Sequence, residues 1–229
     1  MTLEFAALPG LRMAYRTWGP PDGRPVVLLP GGAGDGASWA PVAARLSDTF
    51  RLYAPDPRGF GASDRPGRYG LALYRDDVLA LCDALGLARP VLVGHSSGAV
   101  VAAMVARAHP TRVAALVLAE PPPPVPLGLR LPARPDPPPD YDWAAREAVV
   151  AELNAPDPAG WDRLARITAP TLVVAGGPTS HLPQDQLARM AARLPAGQLV
   201  TIDAGHAVPA SRPAAFAATV RAFLAGPGG

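Results

Sequence analysis

Residues 91–104 read VLVGHSSGAVVAAM. A short apolar run ends at Gly94, and small and apolar residues suited to a helix begin at Ser97, so Gly94-His95-Ser96-Ser97-Gly98 spans a strand-to-helix joint. This is G-x-S-x-G in the context its chemistry requires. A tight turn of this kind strains the middle residue and projects its hydroxyl, while glycines on either side remove side chains that would clash. Ser96 is therefore the candidate nucleophile. The N–H of Ser97, at the positive end of the helix dipole, is a candidate oxyanion donor. A plain glycine-rich turn is the alternative, and the strand-helix context argues against it.

Outward from this joint, the chain alternates between two periods. Residues 2–8 and 11–17, parted by Pro9-Gly10, predict a hairpin. Short apolar strands follow at 25–30, 51–55, 90–94, 113–119, 171–177 and 198–202. Between them, helices are predicted over 38–46, 71–85, 184–193 and from Pro213 to Leu224, with Gly86 as a C-cap and Pro213 at a first turn. Strands alternating with helices imply a mostly parallel sheet covered on both faces. The rhythm breaks once, over 121–165, which hold 12 of the 30 prolines and one convincing helix, Trp143 to Leu153, capped by Asp140 or Asp142. The expected organisation is a core of 1–120 and 166–229 with 121–165 as a short lid insertion at the rim of the sheet.

Composition bounds the function. The 229 residues suit one domain with a sizeable core. The formal charge of +2 comes from 21 arginines and no lysine, scattered rather than gathered into a stripe, so no nucleic-acid footprint is expected. No apolar stretch approaches the roughly 20 residues of a membrane span. The start lacks the features of an export signal, and the lone Cys82 agrees with a reducing compartment, so a cytoplasmic location is expected. The four histidines are not at metal-ligand spacing; neither metal nor cofactor is expected, and oligomeric state is left open.

From the elbow outward, nearly the whole chain resembles the α/β-hydrolase family. LLPGGAGDGASW (28–39) is similar to the family's oxyanion loop, with Pro30 where a histidine is common. The match implies the backbone N–H of Gly32 as second oxyanion donor, a main-chain group that the Pro30 departure leaves in place. APDPRGFGASDRP (54–66) is similar to the loop after the family's fourth strand, which implies structural roles for Asp56, Arg58 and Ser63.

A serine hydroxyl needs a base at neutral pH. His206, after the last predicted strand, stands at the family's position for it. His95 is expected to pack or hydrogen-bond beside the elbow and His109 to end the following helix. His181 faces the same end of the sheet as a candidate substrate contact or a plain loop residue. The base in turn needs an acid. The resemblance puts that acid after the seventh strand, yet Pro178 to Pro183 contain no carboxylate, and Thr179 stands where Asp is expected. Some family members carry the acid one strand earlier, and here that residue is Glu120. The order Ser96, Glu120, His206 fits the fold. Asp185, in a helix first turn, and Asp203, near His206, remain alternatives, and a rim salt bridge is the ordinary alternative for Glu120.

The lid offers Tyr141 and Trp143 as candidate substrate contacts. The resulting expectation is a cofactor-independent serine hydrolase cleaving an ester, thioester or lactone of a small apolar substrate through an acyl-enzyme. The same site also suits an acyltransferase, cyclase, C–C hydrolase or cofactor-free haloperoxidase. A non-catalytic binding protein is the third reading, disfavoured by the complete elbow, oxyanion loop and histidine. Fold alone does not choose among them.

Overall fold

A computed structural model describes residues 1–226, so the last three residues of the expected 166–229 core segment lie outside the described residues. The chain opens on the hairpin of β1 (Thr2–Leu8) and β2 (Leu11–Trp18), joined antiparallel in the register Leu8 to Leu11. It continues through β3 (Arg24–Leu29), α1 (Ala40–Leu46), β4 (Phe50–Pro55), α2 (Leu71–Ala84), β5 (Val91–His95), α3 (Ser97–Ala108) and β6 (Leu116–Ala119). Then come α4 (Trp143–Asn154), α5 (Gly160–Arg163), β7 (Thr171–Ala175), α6 (Gln184–Arg193), β8 (Gly197–Thr201), α7 (Val208–Ser211) and α8 (Pro213–Ala225). The eight strands form one sheet in the order β1-β2-β4-β3-β5-β6-β7-β8, with β2 antiparallel to β4 and every later pairing parallel. The expected mostly parallel α/β architecture is met.

Why the central strands read as unbroken apolar runs is visible in where their side chains go. Val27, Leu29, Leu92, Leu116, Leu118 and Val173 point to the face covered by α2, α3 and α6. The alternate residues Val26, Leu28, Val93, Val117, Leu172 and Val174 point to the face covered by α1 and α8. Successive side chains of a strand alternate in direction, so a strand buried on both sides must be apolar at every position. β6 is shorter than the predicted 113–119: its ladder begins at Leu116, while Ala114 and Ala115 bond only to the β5 side, through Pro90 and Leu92.

Residues 121–142 contain no helix or strand. They are nonetheless tied down at named points. Asp142 caps α4 by accepting the Ala144 N–H, and its own N–H donates to the Gly59 carbonyl at 2.8 Å. Asn154 pairs with both backbone groups of Leu129, at 2.7 and 2.8 Å. From the same helix, Glu152 accepts the Leu71 N–H and so caps α2 across the chain. The helix expected over 143–153 thus serves as the strap holding the insertion to the core. No helix among the described residues is long and apolar enough to cross a membrane.

Candidate active site

β5 delivers Ser96 into a backbone conformation that almost no serine adopts, φ 52° and ψ −122°. The turn is sterically tight. A Cβ on Gly94 would sit 2.4 Å from the Gly98 carbonyl oxygen, and one on Gly98 would sit 2.3 Å from that of Leu29, so both glycines are required. The Ser96 N–H donates to Ala119 of β6 at 2.9 Å, which fixes the turn against its neighbouring strand.

His206 comes from the loop after β8. Its Nε2 lies 3.0 Å from Ser96 Oγ and its Nδ1 3.2 Å from Glu120 Oε2, so the three expected residues are brought together across 110 positions of sequence. Neither Asp185 nor Asp203 has a hydrogen bond to His206 among the described residues. Asp185 is exposed in the first turn of α6 and accepts from Gln186, and Asp203 is exposed beside Gly177. Thr179 sits over Gly205.

Glu120 is fully buried at the carboxyl end of β6 and is surrounded by donors. Oε1 accepts from the Gly176 N–H and from Gln184 Nε2, while Oε2 accepts from Ser180 Oγ and faces His206 Nδ1. Burial pushes its pKa up, but the hydrogen bonds from His206, Ser180, Gly176 and Gln184 outweigh it, and the carboxyl is held below its ordinary range. With Oε2 ionised, His206 Nδ1 carries the proton and Nε2 presents its lone pair to Ser96. The loop after β7, which lacks a carboxylate of its own, instead supplies three donors to one from β6. Ser180 and Gln184 were not recognised from sequence; polar residues in that acid-free loop were the available signal.

His95 hydrogen-bonds beside the elbow. Its Nε2 lies 2.8 Å from the His206 carbonyl oxygen, an acceptor, so His95 carries its proton on Nε2 and clamps the His206 loop to the elbow. Burial lowers its pKa to about 4, which keeps it neutral. His181, exposed, packs its ring 4.4 Å from that of His206 at a tilt of 56°, and its pKa is lowered by burial and by His206 itself. His109 ends α3, as expected.

The oxyanion loop brings Gly32 to the start of α3, where its N–H donates to Ser97 Oγ at 3.0 Å. The Ser97 N–H belongs to the helix's first turn, whose donors the helix cannot satisfy. A cavity of about 40 Å³ beside them is lined by Gly32, Ser97, Phe60, Tyr74 and Val101. Tyr141 packs 5.3 Å from Phe60 and 6.2 Å from Trp143, whose indole N–H is engaged by Glu147. Of the three candidate substrate contacts, His181 is the one that touches His206. Asp56, Arg58 and Ser63 organise backbone and buried charge: Asp56 accepts from Gly36 and Ala62, Ser63 bridges Asp56 and Ala14, and Arg58 forks onto Asp77. Among the described residues no group of His, Cys, Asp and Glu is arranged to hold a metal ion.

Comparison with known proteins gives the same architecture. A putative carbamate hydrolase, RutD, of Caulobacter vibrioides is 45% identical over 103 residues, covering 44% of this chain and 38% of that protein. A non-heme chloroperoxidase of Streptomyces lividans is 43% identical over 119 residues, 51% of this chain and 43% of that protein. These matches thus span less than half the length of either curated relative. The solved structure of a thermophilic esterase from Thermogutta terrifontis superposes with a TM-score of 0.82 at 26% identity, covering 98% of both chains. The family described as alpha/beta hydrolase fold matches residues 24–152. The chain belongs to the α/β-hydrolase fold family.

Proposed function

We propose that the protein is a serine hydrolase that cleaves a carboxylic ester, thioester or lactone of a small apolar substrate through an acyl-enzyme. The observation that carries this reading is the continuous path Ser96 Oγ, His206 Nε2, His206 Nδ1, Glu120 Oε2, with links of 3.0 and 3.2 Å at its two ends. In this reading Ser96 attacks the substrate carbonyl carbon as His206 Nε2 takes its proton. Glu120 holds the imidazole by Nδ1–H and stabilises the imidazolium. The oxyanion forms against the N–H groups of Ser97 and Gly32, and Gly32 then exchanges its bond to Ser97 Oγ for a stronger one to the charged oxygen. His206 returns the proton to the leaving group, and water activated by the same nitrogen releases the acid. Residues 121–165 act as the lid, beginning at the four prolines directly after Glu120.

The experiment is labelling with a fluorophosphonate, location of the adduct by mass spectrometry, and a screen of esters, thioesters, lactones and carbamates with Ser96→Ala as control. Absence of an adduct on Ser96 would sink the activated-serine reading. The likeness to a non-heme chloroperoxidase favours one further arm, in which hydrogen peroxide replaces water as the acceptor of the acyl group. Labelling without hydrolysis, combined with turnover in that arm, would replace the hydrolase reading with the second.

A further inference from the structure

A cavity of about 410 Å³ lies between the outer face of α3, the prolines after Glu120 and the segment from α4 to α6. That volume falls within the roughly 300–1,000 Å³ of small-molecule sites. Neither Ser96, Glu120 nor His206 lines it. Its long wall is a single stripe of α3, Val100, Ala103, Met104 and Arg107, which helical spacing puts in line on one side. The stripe is about 10 Å long, from seven residues at 1.5 Å each. Pro122, Ile167 and Met190 complete an apolar trough that ends on a guanidinium.

Two cations, Arg107 and Arg163, and two carboxylates, Glu152 and Asp157, line this trough, and their contacts leave Arg107 without a direct partner among the described residues. Glu152 is taken by the Leu71 N–H, and Asp157 is taken by the Ala159 N–H and by Arg163. Arg107 is half-buried and has no hydrogen bond or ion pair among the described residues. Burial first, then the like charge of Arg163, lower its pKa; Asp157 raises it, and Arg75 and Arg166 lower it further. A guanidinium nevertheless stays charged at neutral pH. Its place in the last turn of α3 suits the helix dipole, which accounts for its sign. The dipole does not account for a ligand-sized apolar trough aligned with it. A partly desolvated guanidinium without a directly hydrogen-bonded counter-charge is costly, and an anion in contact with it relieves that cost.

We propose that this cavity binds a medium-chain alkyl carboxylate, its head group forked onto Arg107 and its chain laid along Val100, Ala103 and Met104. The guanidinium fork matches a carboxylate bidentately, and the trough takes a hydrocarbon but offers an alcohol head group no charge to meet. The inference does not rest on the hydrolase reading, because no residue of the Ser96 site takes part.

The test is isothermal titration of decanoate, hexanoate and neutral decanol into the full chain and into Arg107→Gln and Ala103→Phe, with circular dichroism checking each fold. Decanoate is expected to bind more tightly than hexanoate, by roughly threefold to fourfold per methylene. Arg107→Gln should weaken decanoate tenfold or more and leave decanol within about twofold, as loss of one charged hydrogen-bonding partner predicts. Ala103→Phe, which fills the trough, should weaken both. Absence of decanoate binding overturns the proposal. So does equal loss of decanol and decanoate in Arg107→Gln, or decanoate binding that ignores Ala103→Phe, since the ligand then lies elsewhere.

Discussion

Ser96 and Glu120 end neighbouring strands of the sheet, and they are the two non-glycine residues with positive φ among the described residues, at 52° and 48°. The left-handed region costs an ordinary residue roughly 1–2 kcal/mol. Here it falls on the two positions from which a hydroxyl and a carboxylate must turn off their strand ends toward one histidine. Relieving the strain should therefore separate stability from chemistry. Ser96→Gly is expected to remove the proposed hydrolase activity while stabilising the fold by on the order of 1 kcal/mol, strain released minus the entropy of glycine. Urea denaturation of both proteins checks it, and a clearly destabilised variant would show that the elbow stores no strain.

Glu120→Gln keeps the shape of the residue and most of its donors but can no longer hold His206 by a negative charge. A loss of about a thousandfold or more in kcat with an unchanged circular dichroism spectrum is expected. A loss below tenfold would assign the acid elsewhere. Stability should respond as well. Because the folded carboxyl titrates below its ordinary value, the unfolded chain binds the proton first, so the contribution of Glu120 is present above about pH 4.5 and is lost as pH falls through the folded value. The stability of Glu120→Gln should consequently depend less steeply on pH in the acid range.

For His95 the sign is reversed in its cause but similar in its slope. Burial holds the folded ring neutral down to about pH 4, whereas the unfolded ring protonates near its ordinary 6.5, so acidification favours unfolding. Between those values the wild type should lose on the order of 3 kcal/mol relative to His95→Gln, at 1.36 kcal/mol per pH unit. Gln can also donate to the His206 carbonyl, but from a different reach. We expect kcat to fall by roughly tenfold to a hundredfold with KM little changed, because the residue positions the base without meeting substrate. Chemical denaturation at several pH values and steady-state kinetics check the two parts separately.

What was legible in the sequence was mostly local. The elbow follows from glycines two residues either side of Ser96, and α6 from a polar-apolar period that ends where predicted, at Arg193. The pairing of β-strands into one mostly parallel sheet followed from apolar runs separated by helices. Glu120 was legible only through chain order and the empty loop after β7. The partners of Glu120 were not. Ser180 and Gln184 meet it from 60 and 64 positions away, and His95 meets the His206 carbonyl from 111. Such contacts depend on how closely two loops approach once the sheet has formed, and no spacing encodes that distance. The same reason hid the occupation of the Gly32 N–H by Ser97 Oγ.

Arg58 and Asp77 form the buried ion pair beneath the small cavity, joined at 2.6 Å through Nε and 2.5 Å through Nη2, with both side chains less than a tenth exposed. Removing one partner leaves the other charge buried, whereas removing both leaves a space that apolar groups fill. Asp77→Ala is thus expected to cost about 3–5 kcal/mol. The double variant Arg58→Met, Asp77→Leu should lie much nearer the wild type. Neither residue has a hydrogen bond to Ser96, His206 or Glu120 among the described residues, so kcat per folded molecule should change by less than about threefold in the double variant. A urea-denaturation cycle over the wild type, Arg58→Met, Asp77→Leu and the double variant measures the coupling, and a double variant as unstable as Asp77→Ala would mean that the pair, and not merely its balance of charge, holds the 54–66 loop in place.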